Sequence, residues 1–88
     1  MRCRHMVRFH PHALERMEER GTTEDEVRAA VETGEKFPAK FGRLGFRRNF
    51  PFDRLWRDRL YPTKQVEVYA VEERPQDWLV ITVITRYF

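Results

Sequence analysis

The chain of 88 residues has a single cysteine, four scattered glycines, no serine and no long apolar run. Each shortage removes a class of chemistry. One thiol, Cys3, cannot form an internal disulfide, which fits a reducing, cytoplasmic setting. Without serine there is no serine nucleophile, and Cys3 stands alone near the chain start with no triad partner at a telling spacing. The glycines fall at 21, 34, 42 and 45, too dispersed for a phosphate-cradling loop. No apolar stretch approaches ~20 residues, so no membrane span is expected. The basic start, residues 1–8, lacks the apolar middle of a signal peptide. Two histidines, His10 and His12, flank Pro11 but supply at most two ligands, where a zinc site takes three or four, so no metal and no cofactor are expected. His5 has no placed partner.

What is present suffices for one small domain spanning residues 1–88. A hydrophobic content of 41% with 14% aromatic residues argues against disorder. A core of this size is modest, and a second copy would reinforce it. The net charge is only +3, but it is unevenly placed. Residues 15–35 hold eight acidic against three basic side chains, and residues 40–64 hold eight basic against two acidic. One edge of the domain is therefore acidic and another basic, and a basic face suits a phosphate-rich partner.

The opening pattern is helical. Pro11 suits the first helical position, where its missing N–H costs nothing. Gly21 suits the left-handed residue past a helix end. Between them Ala13, Leu14 and Met17 share one face. A second helix begins after Thr23, whose pairing with Glu26 is a capping box, and it ends at Gly34 with Val27, Ala30 and Val31 on its apolar side. From residue 36 the helical period gives way to aromatic and β-branched residues. Strands are predicted over 37–41 and 44–50, then 55–61, 65–73 and 78–87, with turns at 51–53 and 62–64 and a loop over 74–77. Residues 7–9 form a short extended lead-in. The last strand is apolar on both faces, the mark of a doubly covered central strand. Short connections imply an antiparallel meander. The fold class is α+β: two N-terminal helices on one face of a twisted antiparallel sheet of three to four strands.

The chemistry-bearing candidates lie in two groups. His12, Arg16 and Arg20 fall at i, i+4 and i+8 on helix one. The helix N-terminus and the arginines favour a neutral imidazole there, able to take a proton from a ribose 2′-hydroxyl. Arg16, Arg20 and, at the end of the last strand, Arg86 could steady charge on a phosphorus centre. Arg47, Arg48, Arg57 and Arg59 are interleaved with aromatics, a pattern suited to tracking a nucleic-acid backbone. The plain alternatives are a helix-capping histidine, ion pairs along the helices and a solvated arginine-rich face.

The run HALERMEERGTTEDEVRAAVETGE, followed by VEVYAVEE and the closing VITVITRYF, resembles a family of small prokaryotic domains, the domain of unknown function numbered 4258. The resemblance extends from about His10 to Phe88, with residues 36–64 matching poorly and read as this chain's own elaboration. It implies a place in the wider group of RelE-like and barnase-like toxin folds, whose members are metal-independent endoribonucleases. Carried over residue by residue, His12, Arg16 and Arg20 match the motif positions. The resemblance thus implies RNA as substrate and an antitoxin protein as partner. The rival expectation is a non-catalytic interaction module, dimeric through its acidic and basic edges.

Overall fold

A computed structural model describes residues 6–88. Cys3 and His5 lie outside the described residues. The chain runs β1 (Met6–Phe9), α1 (Pro11–Arg20), α2 (Glu24–Thr33), β2 (Glu35–Pro38), a 3-10 turn (Lys40–Gly42), β3 (Leu44–Trp56), β4 (Arg59–Arg74) and β5 (Asp77–Tyr87). The architecture is α+β, with two helices on one face of a sheet, as expected. The sheet has five strands in the order β1-β5-β4-β3-β2 rather than three to four. It is mixed, because the short lead-in becomes β1 and pairs in parallel with β5. Only β2 to β5 form the expected antiparallel meander.

The helical half follows its local signals. Pro11 occupies the first turn of α1, and Gly21 closes it at φ 75°. Thr23 and Glu26 form both halves of the capping box. Ala13 and Met17 are buried, as are Val27, Ala30 and Val31. Leu14, expected on the apolar face, is 41% exposed, since the buried stripe of α1 is only as wide as its contact with β5. α2 packs on β3 and β4. The core they enclose is built on Phe46, Val66, Val68, Trp78, Val80 and Val83, with Phe46 and Trp78 meeting edge-on at 5.1 Å. Each such side chain contributes roughly 1.5–3 kcal/mol by leaving water.

Side chains from β4 and β5 tie the α1–α2 connection to the sheet. Thr22 and Thr85 share a buried hydroxyl–hydroxyl hydrogen bond of 2.5 Å. Tyr87 donates to the Arg20 carbonyl at 2.6 Å. Lys64, buried, donates to the Gly21 carbonyl and, at 2.8 Å, to Glu26.

The sheet departs from the local signals at two of its prolines. Residues 51–53 and 62–64 are not turns. Pro51 lies inside β3, next to an irregularity between Pro51 and Arg54, and Pro62 lies inside β4. The predicted strand over 55–61 is instead the tip of the β3–β4 hairpin, with Trp56 opposite Arg59 and the reversal at Arg57-Asp58. Both turn residues are left-handed, at φ 52° and 68°, which is the backbone of a two-residue hairpin turn of the primed type. Glycine or asparagine favours that conformation, and neither is present. The expected loop over 74–77 is a tight turn, with Pro75 followed by Gln76 at φ 62° and Arg74 paired to Asp77. β5 lies between β1 and β4, yet only one of its faces is covered by helices; Leu79, Thr82 and Ile84 on the other are half-buried. Among the described residues no helix is long and apolar enough to cross a membrane.

Asp58 holds a left-handed backbone at φ 68°, which glycine adopts without steric cost. Asp58→Gly should therefore stabilise the domain by about 1 kcal/mol, read as a higher urea midpoint at unchanged slope. A lower midpoint would show that the aspartate contributes to the tip in some other way.

Candidate functional site

Alternation along β4 separates its side chains cleanly. Val66, Val68 and Ala70 are fully buried under the helices, so Glu67 and Tyr69 face the other way. The same reasoning places Arg86 on that uncovered face, since its neighbour Thr85 bonds to Thr22 in the helix connection. Register does the rest: Arg47 on β3 lies directly opposite Glu67, and Arg86 on β5 lies opposite Gln65, one step along the same face.

The four side chains converge. Arg47 Nε donates to Glu67 Oε2 at 2.9 Å, and Arg86 Nη1 donates to the same oxygen at 3.2 Å. Tyr69 donates its hydroxyl to Glu67 Oε1 at 2.8 Å. Arg47 also reaches Glu35 on β2 at 3.0 Å. The Glu67 side chain is 7% exposed, while those of Arg47 and Arg86 are 36% and 52% exposed. A carboxylate is thus held beneath two guanidinium groups that keep N–H donors turned to solvent.

The protonation states follow from the contacts. Burial alone pushes the Glu67 carboxyl up, but hydrogen bonds from Tyr69 and Arg47, with the charges of Arg86 and Arg47, outweigh it and hold the group below its ordinary value. Tyr69 moves upward, because burial and its bond to the Glu67 carboxylate both favour the neutral phenol. Arg47 is raised by its bond to Glu67. At neutral pH the cluster is therefore carboxylate, phenol and two guanidinium ions.

The residues predicted from sequence are divided by this geometry. Arg47 and Arg86 are brought together. His12, Arg16 and Arg20 share α1, on the opposite side of the sheet. His10, the N-cap of α1, accepts the His12 backbone N–H through Nδ1 at 3.0 Å, and His12 itself is exposed. Arg16 pairs with Glu19 at 3.3 Å. The start of α1 is anchored by the His10 N–H on the Val80 carbonyl, six residues before Arg86, or about 20 Å along the strand. His12 and Arg86 therefore do not meet around one phosphate. Arg48 turns to the helix side, bonding Thr33 at 2.8 Å. Arg57 and Arg59 sit at the hairpin tip, over Trp56 and Tyr61.

Glu67 and Tyr69 were not singled out from sequence. An acidic residue in an alternating strand reads as solvent-facing. The available signal was their shared face on 65–73, together with basic residues on both predicted neighbours. Among the described residues no group of three or more His, Cys, Asp or Glu side chains is placed to hold a metal ion.

A two-helix layer on one face of a mixed sheet, with a buried carboxylate and paired arginines on the other, defines a small α+β domain with an electrostatically built open face. The chain belongs to the family described as Domain of unknown function (DUF4258), whose model matches residues 9–85. The matched range takes in residues 36–64. Neither the curated proteins nor the solved structures give a match.

A group whose folded-state pKa is depressed stabilises the fold above its unfolded value and loses that contribution as pH falls through the folded one. Glu67→Gln should cost about 2 kcal/mol at pH 7, the scale of a charge-assisted hydrogen bond. The gap between parent and variant melting temperatures should narrow from near the usual carboxylate pKa of about 4 downward. A gap that persists unchanged at pH 2 would mean the carboxylate charge is not what Glu67 contributes.

Proposed function

We propose that this domain binds RNA on the helix-free face of its sheet and cleaves it as a metal-independent endoribonuclease of the RelE-like and barnase-like kind. One observation carries the proposal: a buried carboxylate shared by two half-exposed guanidinium groups and a phenol, on a face with no helical cover. Arg47 and Arg86 bind the scissile phosphate and stabilise the charge that builds on its oxygens as phosphorus becomes five-coordinate. Glu67 accepts the proton of the ribose 2′-hydroxyl while that oxygen bonds to phosphorus. Tyr69 gives its proton to the departing 5′-oxygen as the P–O5′ bond breaks. The products are a 2′,3′-cyclic phosphate and a 5′-hydroxyl. The Glu67–Tyr69 hydrogen bond then returns the proton from the carboxylic acid to the phenolate, restoring both groups.

A second reading keeps the RNA-binding face and drops the chemistry. The low basicity of Glu67 favours it, because a carboxylate tied to two arginines is a weak base. The hairpin tip then gains importance as a contact for a protein partner, an antitoxin or a second copy: Leu55 and Leu60 are directly opposite and more than two-thirds exposed.

Incubation of the parent with end-labelled single-stranded RNA in EDTA should yield cyclic-phosphate ends. Arg86→Ala, a change at an exposed side chain, should slow cleavage by about 100-fold or more, as should Glu67→Gln by about the same factor. His12→Ala should cleave at the parent rate; its loss of activity would move the base to α1. RNA binding by the parent without any cleavage would support the non-catalytic reading instead.

A further inference from the structure

The uncovered face also holds an aromatic cleft beside the Glu67 cluster. It has a volume of about 380 Å³ and is bordered by Phe37, Phe41, Arg43, Tyr69, Thr82 and Ile84. Its floor is fixed. Phe37 lies across Gly45, the residue opposite it in β3, where an added Cβ would fall 2.3 Å from the ring. Phe37 meets Tyr69 edge-on at 6.1 Å, and the Arg47 guanidinium covers its ring at 4.6 Å.

The rim is harder to explain by folding. Phe41 is 86% exposed and takes a left-handed backbone, φ 63° and ψ 34°. An exposed phenylalanine forgoes the gain of burial, and a left-handed backbone is a further cost for any residue other than glycine. The turn that imposes this is closed by Ala39 N–H on the Arg43 carbonyl at 3.0 Å and Arg43 N–H on the Lys40 carbonyl at 3.3 Å. Arg43 approaches the free ring, with its guanidinium carbon 5.8 Å from the centroid. The result is an unpacked aromatic face flanked by Lys40 and Arg43, adjoining a cleft whose far wall leads to Arg47.

We infer that this cleft is a base-binding subsite: an unpaired nucleobase of RNA stacks on Phe41 and enters against Phe37 and Tyr69, with its flanking phosphates on Arg43 and Arg47. The inference rests on the RNA-binding reading above and adds which part of the face holds a base. A π-face accepts any base, and the cations match the backbone on either side. Lys40 and Arg43 on its border, with Arg47 over Phe37, favour a ligand that carries phosphate over an apolar one.

The test uses a single-stranded 2′-O-methyl oligonucleotide, which cannot be cleaved by the 2′-hydroxyl route, carrying one 2-aminopurine. The full chain should quench the probe on binding. Phe41→Ala should abolish the quench and weaken binding by about tenfold, and Phe41→Trp should restore both. An abasic site in place of the probe should cost the parent the same factor and cost Phe41→Ala nothing further. Equal affinity and quench in parent and Phe41→Ala overturn the subsite while leaving RNA binding and cleavage intact. A parent that binds no single strand removes the subsite and the ribonuclease reading together.

Discussion

The Glu67 carboxylate sits nearly buried on the sheet face that neither α1 nor α2 covers, and the rest of the open face is arranged around that fact. A buried carboxylate is tolerated only when its oxygens are bonded and its charge is matched. Here Arg47, Tyr69 and Arg86 meet that need from three adjacent strands. Their convergence depends on register, because a one-residue slip would turn each side chain to the other face. The same register puts Val66 and Val68 beneath the helices. Core and cluster are therefore specified by one pairing pattern, and neither can be kept while the other is lost.

The helical layer is held to its own side by polar ties concentrated at the α1–α2 connection. Lys64 reaches both Gly21 and Glu26, and Glu26 in turn caps α2 through Thr23. Tyr87 and Thr85 fix the same corner from β5. A buried lysine and a buried glutamate thus lie three residues apart on β4, facing opposite ways. The cation secures the helices and the anion organises the arginines. Because the helices are docked through the first, they leave the face built on the second uncovered.

The helices were legible because their ends carry local chemistry: Pro11, Gly21 and the Thr23–Glu26 box act within a few residues. The strands were less so. Proline at 51 and 62 normally signals a turn, and Arg57-Asp58, the real reversal, offers no glycine to announce it. Of the site, Arg47 and Arg86 stood out as basic residues near strand positions. Glu67 did not, because its burial arises from pairing between segments about twenty residues apart on either side, which no local pattern reports. His12 stood out for its helix-start chemistry, but the sheet places Arg86 on the opposite face.

Prolines in the outer stretches of the sheet have a role of their own. β3 runs well past its last partner on β2, which is Arg47, and β4 runs past the last β5 partner of Lys64. The protruding two-stranded ribbon therefore has an outer edge on each side, and bare edges invite a further strand from another molecule. Pro51 lies in the stretch of β3 beyond that last partner, and Pro38 sits in the terminal strand β2. A proline offers no N–H to an incoming chain. The ribbon can extend far enough to cover the helix connection without becoming a template on which the sheet grows from copy to copy.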